Sequence, residues 1–150
     1  MKLTSKAFRE HEDIPEKYTS DGDNINPPLE ISGVPTGTQS LALIMDDPSS
    51  NDEDCVNWLL WNISPDTREI EKNSVPEGAI QGINYNGTVG YFGPAPTAQR
   101  HIYRFRLYAL DNVLNLENGA TKKELKKATA GHIIEKTVLA GFYEKYYPEP

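Results

Sequence analysis

His101 and Tyr103, an imidazole and a phenol, stand two residues apart in the alternating run His101-Ile102-Tyr103-Arg104-Phe105-Arg106-Leu107-Tyr108-Ala109. In extended backbone successive side chains point to opposite faces, so His101, Tyr103, Phe105, Leu107 and Ala109 share one side. Ile102, Arg104, Arg106 and Tyr108 share the other. The first row continues as core, which sets the two polar groups at the entry end of an apolar face, where both can donate to one anion. A pure packing account must instead find a separate partner for each. The turn-rich stretch Gly90-Tyr91-Phe92-Gly93-Pro94-Ala95-Pro96 approaches this strand and supplies a rigid loop beside it.

Other residues able to take part are Asp47, Cys55 and Asn57. Proline disfavours helical geometry in the residue before it, so Asp47, ahead of Pro48, is expected in extended backbone at a strand end. The plainer use of such an aspartate is to cap nearby amides in a turn. Cys55 follows Glu53 and Asp54, whose charges disfavour a thiolate, so it reads as a small buried hydrophobe rather than a nucleophile. Asn57 is expected to alternate with Leu59 and Trp61 and to carry an inward-facing amide. The acids Asp46, Asp47, Asp52, Glu53 and Asp54 lack the spacing and glycine of a calcium loop and read as a solvated acidic loop. Three histidines spread over the chain give no zinc set, and no phosphate-binding, dinucleotide or G-x-S-x-G motif is present. No metal or cofactor is expected.

The elements that must position these groups are mainly strands. Leu41-Ala42-Leu43-Ile44-Met45 is apolar on both faces and predicts a central strand, ended by Asp46-Asp47-Pro48. Trp58-Leu59-Leu60-Trp61-Asn62-Ile63 and the shorter Ala79-Ile80-Gln81-Gly82-Ile83 predict two more. Thr121 with Glu124 forms a capping box for a late helix. Leu125, Ala128, Ile133, Ile134, Val138 and Leu139 extend the helical pattern, broken near Gly131 and stopped by Gly141, with Phe142–Tyr146 as a terminal strand or extended tail. Strands first and helix last imply sheet-on-sheet packing with a helical flank.

The chain has 150 residues, enough for one domain over residues 1–150 that buries about two-thirds of its unfolded surface. A single cysteine excludes an internal disulfide and fits a reducing, cytoplasmic setting. No signal-like N-terminus and no apolar run near the ~20 residues of a membrane span is present, so a soluble chain is expected. The sequons at Asn62 and Asn86 then carry no meaning. A formal charge of −7 repels nucleic acid and anionic membrane surfaces over about a Debye length of ~10 Å. A small anion in a local pocket is compatible with that charge, because nearby dipoles decide binding at short range.

Taken together, these motifs resemble the phosphatidylethanolamine-binding protein family, in its bacterial and archaeal branch often labelled Raf kinase inhibitor-like. The resemblance runs through Ile14–Leu29, Val34–Leu43, Asp47-Pro48, Gly93–Pro96 with His101–Phe105, and the closing segments Ala128–Ile134 and Ala140–Tyr143. It implies a large central antiparallel sheet packed on a smaller one, with the C-terminal helix at the flank and a small-anion cavity at one end. Carried over by position, Asp47, His101 and Tyr103 would line that cavity, with Gly93, Ala95 and Pro96 as its loop wall. The chain departs from the pattern on the opposite wall. Ser49 replaces the family's second aspartate, Asn51 a proline, Cys55 an aromatic residue and Asn57 its second pocket histidine. Asparagine donates and accepts but cannot become cationic, so the resemblance implies a pocket of altered polarity.

The expectation for function is a non-enzymatic module that holds a small anion or a phospholipid head group through Asp47, Asn57, His101 and Tyr103, with Ser49 and Cys55 nearby. An inhibitor of a kinase or protease, acting through surface loops, is the alternative the resemblance carries, and self-association into a homodimer is left open. A degenerate hydrolase is the third, with Asp47 and His101 as base machinery but no convincing nucleophile.

Overall fold

The computed structural model describes residues 1–48, 55–95 and 99–144. Its eight strands are β1 (Lys2–Thr4), β2 (Leu29–Ser32), β3 (Ser40–Asp46), β4 (Val56–Ile63), β5 (Glu69–Ile70), β6 (Ile80–Gln81), β7 (His101–Leu110) and β8 (Ile133–Tyr143); one helix, α1, spans Lys122–Thr129. They form a five-stranded sheet in the order β6-β4-β3-β7-β8 and a three-stranded sheet in the order β1-β2-β5. Every pairing between named strands is antiparallel. The expected fold, a mainly β sandwich of a large and a small sheet with a helix at the flank, is the one observed.

Strand β3 is buried along its whole length because both its faces are covered, as its two-sided apolar run predicts. Leu41, Leu43 and Met45 join Phe105, Leu107, Ala109 and Leu139 in the core between the sheets, against Leu3, Leu29, Ile31 and Ile70 of the small sheet. Ala42 and Ile44 face the other way, into a second core with Tyr108, Leu110, Leu114 and Leu125 of α1. The helix is nucleated as expected: the Thr121 side chain accepts from the Glu124 amide while the Glu124 carboxylate accepts from the Thr121 amide.

The end of the chain differs from the sequence expectation. Helix α1 stops at Thr129, Gly131 takes a left-handed φ of 81°, and Ile133–Tyr143 is one long strand paired with all of β7. Ile133, Ile134, Thr137 and Val138 are β-branched and fit a pleated surface better than a helix. The helical-looking set does not share one face: Ile133, Ile134 and Val138 are exposed on the strand, and only Leu139 enters the core. Gly141 therefore terminates nothing. It sits within β8, where a Cβ would lie 2.8 Å from both Ile14 and Phe8, so its bare backbone admits the N-terminal segment onto the sheet. Among the described residues no helix is long and apolar enough to cross a membrane.

Candidate functional site

The alternation in β7 holds: Tyr103, Phe105, Leu107 and Ala109 enter the inter-sheet core, with His101 half-buried at the strand's start. His101 and Tyr103 stack at 6.5 Å between ring centroids, with 24° between the planes. Asp47 follows β3, the strand that pairs with β7 through Asp46 and Arg104. One residue further on, Asp47 turns to the face of His101, whose Nδ1 lies 2.7 Å from Asp47 Oδ2. The carboxylate is 4% exposed and the imidazole 18%. With Nδ1 engaged by a carboxylate, the imidazole is fixed in rotation and Nε2 is the ring nitrogen left for a ligand.

This placement corrects the reading of Asp46 and Asp47 as part of a solvated loop. Both are buried, at 3% and 6% of their accessible surface, because each is met by cationic or imidazole partners on its own face of the sheet. Asp52, Glu53 and Asp54 lie outside the described residues, as do Ser49, Asn51 and Pro96.

Asn57 reaches the site by a different route from the expected alternation. In the β3–β4 ladder Met45 pairs with Trp58 and Asp46 with Val56, leaving Asn57 as the extra residue of a bulge. Trp58 consequently faces the inter-sheet core, whereas Val56, Leu59 and Trp61 face the other. Asn57 therefore does not share a row with Leu59 and Trp61 through simple alternation. Its Nδ2 donates to the Phe92 carbonyl at 2.9 Å and its own carbonyl accepts from the Phe92 amide at 2.9 Å. Its Oδ1 is buried with no hydrogen-bond partner. An unpaired buried acceptor of this kind costs about 1–3 kcal/mol.

The loop wall is strapped from behind. The Gly93 amide donates to Asn24 Oδ1 at 2.7 Å, the Tyr91 hydroxyl donates to the Tyr18 carbonyl at 2.5 Å, and the Ser20 hydroxyl donates to the Pro94 carbonyl at 3.1 Å. A Cβ on Gly93 would collide with the Tyr18 carbonyl, so only glycine lets this loop seat. Ala95 is exposed at the end of the described part of the loop. Half-buried Cys55 adjoins the site through its backbone, its carbonyl accepting from the Asp47 amide at 3.2 Å.

Tyr85 belongs to the site and is absent from the sequence expectation. Its hydroxyl donates to the Gly93 carbonyl at 3.0 Å and its ring meets Phe92 edge-on at 5.1 Å. It is presented by a turn built on Asn84, which bonds Thr88 and Gly90 through Nδ2 and the Asn86 amide through Oδ1. In the sequence this stretch shows only as a turn. Burial raises the pKa of Tyr85, with the charges of Cys55 and Asp47 adding to it. Burial raises Tyr103 as well, followed by Asp47 and Cys55. Both phenols are thus held protonated, as neutral hydroxyls, beside a carboxylate–imidazole pair.

The family model for phosphatidylethanolamine-binding protein matches residues 4–144. The chain belongs to the phosphatidylethanolamine-binding protein family. Similar family members include a UPF0098 protein of Methanothermobacter thermautotrophicus, 45% identical over 97% of this chain and 99% of its own length. Another, from Chlamydia trachomatis, is 43% identical over 97% of this chain and 99% of the relative. The crystal structure of the phosphatidylethanolamine-binding protein homologue CT736 of Chlamydia trachomatis superposes with a TM-score of 0.89 at 42% identity, covering 96% of this chain and 97% of that one. Escherichia coli YbcL, described as a member of the mammalian family, superposes at 0.90 with 24% identity over 97% and 98% of the two chains, a likeness of fold alone. Within this family fold, Asp47, His101 and Tyr103 come together beside Tyr85 and the Gly93 loop.

Proposed function

We propose that this family member is a cytoplasmic binding protein for a small anion or an anionic head group, held between His101, Tyr103 and the Gly93 loop. The Asp47–His101 pair at 2.7 Å carries this reading, because it orients an imidazole at the start of a buried row and leaves Nε2 for a ligand. The phenol of Tyr103, kept neutral by burial, adds a donor that an anion can use. Binding, with the His101 imidazole and the Tyr103 phenol as donors, is the activity inferred.

Titration with inorganic phosphate, followed through the His101 ring resonances, tests the reading. Millimolar phosphate should shift them and raise the melting temperature, and His101→Ala should remove the thermal effect. Unmoved His101 resonances at that concentration would end it.

A further inference from the structure

Strand β8 closes the large sheet and has a strand neighbour, β7, on one side only. The N-terminal segment covers part of its free edge: the His11 amide donates to the Ala140 carbonyl at 2.8 Å, and the Ile14 amide to the Phe142 carbonyl at 2.7 Å. Ala140 and Phe142 therefore turn their backbone groups away from β7, and by the period of two Lys136 and Val138 do the same. Among the described residues no hydrogen bond reaches Lys136 or Val138 from that side. Both side chains are exposed on the helix face of the sheet, opposite Tyr108 and Arg106 of β7. The one acid of β8, Glu135, is opposite Ala109 on the other face and is tied to the Met1 ammonium at 3.0 Å. In a chain of charge −7 this edge is locally cationic and apolar.

An open edge with exposed apolar side chains can accept a further strand. A second copy of this chain fits it poorly. Two-fold antiparallel pairing keeps each residue on its own face, so it must be centred on a single residue. Centring on Lys136 or Glu135 sets like charges directly opposite each other. Centring on Thr137 carries Ile134 onto Ala140, whose edge the N-terminal segment already holds. We propose that β8 instead takes up an extended acidic segment of another protein as an added strand, with a carboxylate opposite Lys136 and a β-branched side chain opposite Val138. Main-chain hydrogen bonds to Lys136 and Val138 give the affinity, and the lysine selects the charge. This surface is independent of the anion-binding reading, because Lys136 pairs near the far end of β7 from His101.

The test uses two capped peptides, Thr-Val-Thr-Glu-Thr-Val-Thr and its counterpart with lysine in place of the glutamate, followed through backbone amide resonances and hydrogen exchange. In the dilute free protein the Lys136 and Val138 amides should exchange fast, while those of Thr137 and Leu139, which face β7, are protected. The glutamate peptide at millimolar concentration should shift the Lys136 and Val138 amides and slow their exchange by at least about threefold. The lysine peptide should bind at least about threefold more weakly, and Lys136→Glu, a change at an exposed side chain, should invert the order of the two. Lys136 and Val138 amides already protected in the dilute protein would mean that the edge is covered, and would overturn the proposal. Protection that rises with protein concentration alone would make a second copy the occupant and overturn it equally. So would equal affinities, a preference that survives Lys136→Glu, or shifts confined to His101 and its loop. Unmoved Lys136 and Val138 amides with both peptides would show that the edge accepts no strand.

Discussion

Asp46 and Asp47 are neighbours in sequence and sit back to back across the large sheet, yet their surroundings are built on opposite principles. On the helix side Asp46 Oδ2 accepts from Arg106 Nη2 at 2.7 Å and Lys122 Nζ at 2.8 Å, while Arg104 Nε stands 3.4 Å from Oδ1. That carboxylate ties β3, β7 and the first turn of α1 together, a fixed joint between elements distant in the chain. On the opposite face Asp47 Oδ2 lies 2.7 Å from His101 Nδ1, and its charge acts on the phenols of Tyr85 and Tyr103. A carboxylate hemmed in by cations holds structure, whereas one that orients an imidazole beside neutral phenols sets out groups that the proposed function uses. On that proposal the contrast separates stability from recognition at adjacent residues.

The largest effect is expected from removing the structural member of the pair. Asp46→Ala leaves Arg106 and Lys122, whose side chains are 15% and 17% exposed, without their shared counter-charge. Breaking a buried ion pair from one side costs about 3–5 kcal/mol, and the partial exposure of these cations puts the expected loss near the lower figure. Urea unfolding measures it. Phosphate should still shift His101 in the folded variant. A loss below about 1 kcal/mol, or an abolished His101 response, would mean the two faces are not divided in this way.

Asp47→Ala should reverse the pattern. The charge-assisted hydrogen bond to His101 is lost, which costs about 1.5–3 kcal/mol, and His101 is still partly in contact with water. Ligand response is where the change should be largest: without its carboxylate partner His101 loses its fixed orientation, and phosphate affinity should fall by about tenfold or more. Retained affinity with a large stability loss would make Asp47 a structural residue like its neighbour.

How far the sequence revealed this arrangement depends on how local each signal is. The two-sided burial of β3 and the alternation of β7 were legible because a period of two and an unbroken apolar run are properties of the strand itself. The His101–Tyr103 row followed from the same period, and the pairing of Asp47 with His101 was reachable only through the family resemblance. Asn57 was misplaced because a bulge is decided by the pairing of β3 with β4, and a single extra residue reverses every side chain beyond it. Residues 133–139 looked helical because their apolar side chains fall on both faces of the strand, with Ile133, Ile134 and Val138 exposed and Leu139 buried. Tyr85 left no trace, since an exposed turn tyrosine acquires its role only when Gly93 and Asp47 are brought beside it. The charge cluster at Asp46 was hidden for a related reason: Lys122 lies 76 positions away along the chain.

The smallest and most pointed effect concerns the phenols of the pocket side. The pKa values of Tyr85, Tyr91 and Tyr103 are raised chiefly by burial, so these rings should stay protonated where ordinary tyrosines ionise, near pH ~10. In the unfolded chain they would ionise there, so above pH ~10 the native state binds more protons than the unfolded state and stability declines as pH rises. Below that range this contribution is constant. Absorbance of the eight tyrosines during alkaline titration should therefore show an early group near pH ~10 and a later group that ionises only as the fold is lost. Tyr103→Phe should remove one member of the later group while costing no more than about 1 kcal/mol of stability, since its hydroxyl makes no hydrogen bond within the described protein. If all eight titrated together near pH 10 in the folded protein, the pocket would be open to water and the distinction between its face and the Asp46 face would lose its electrostatic basis.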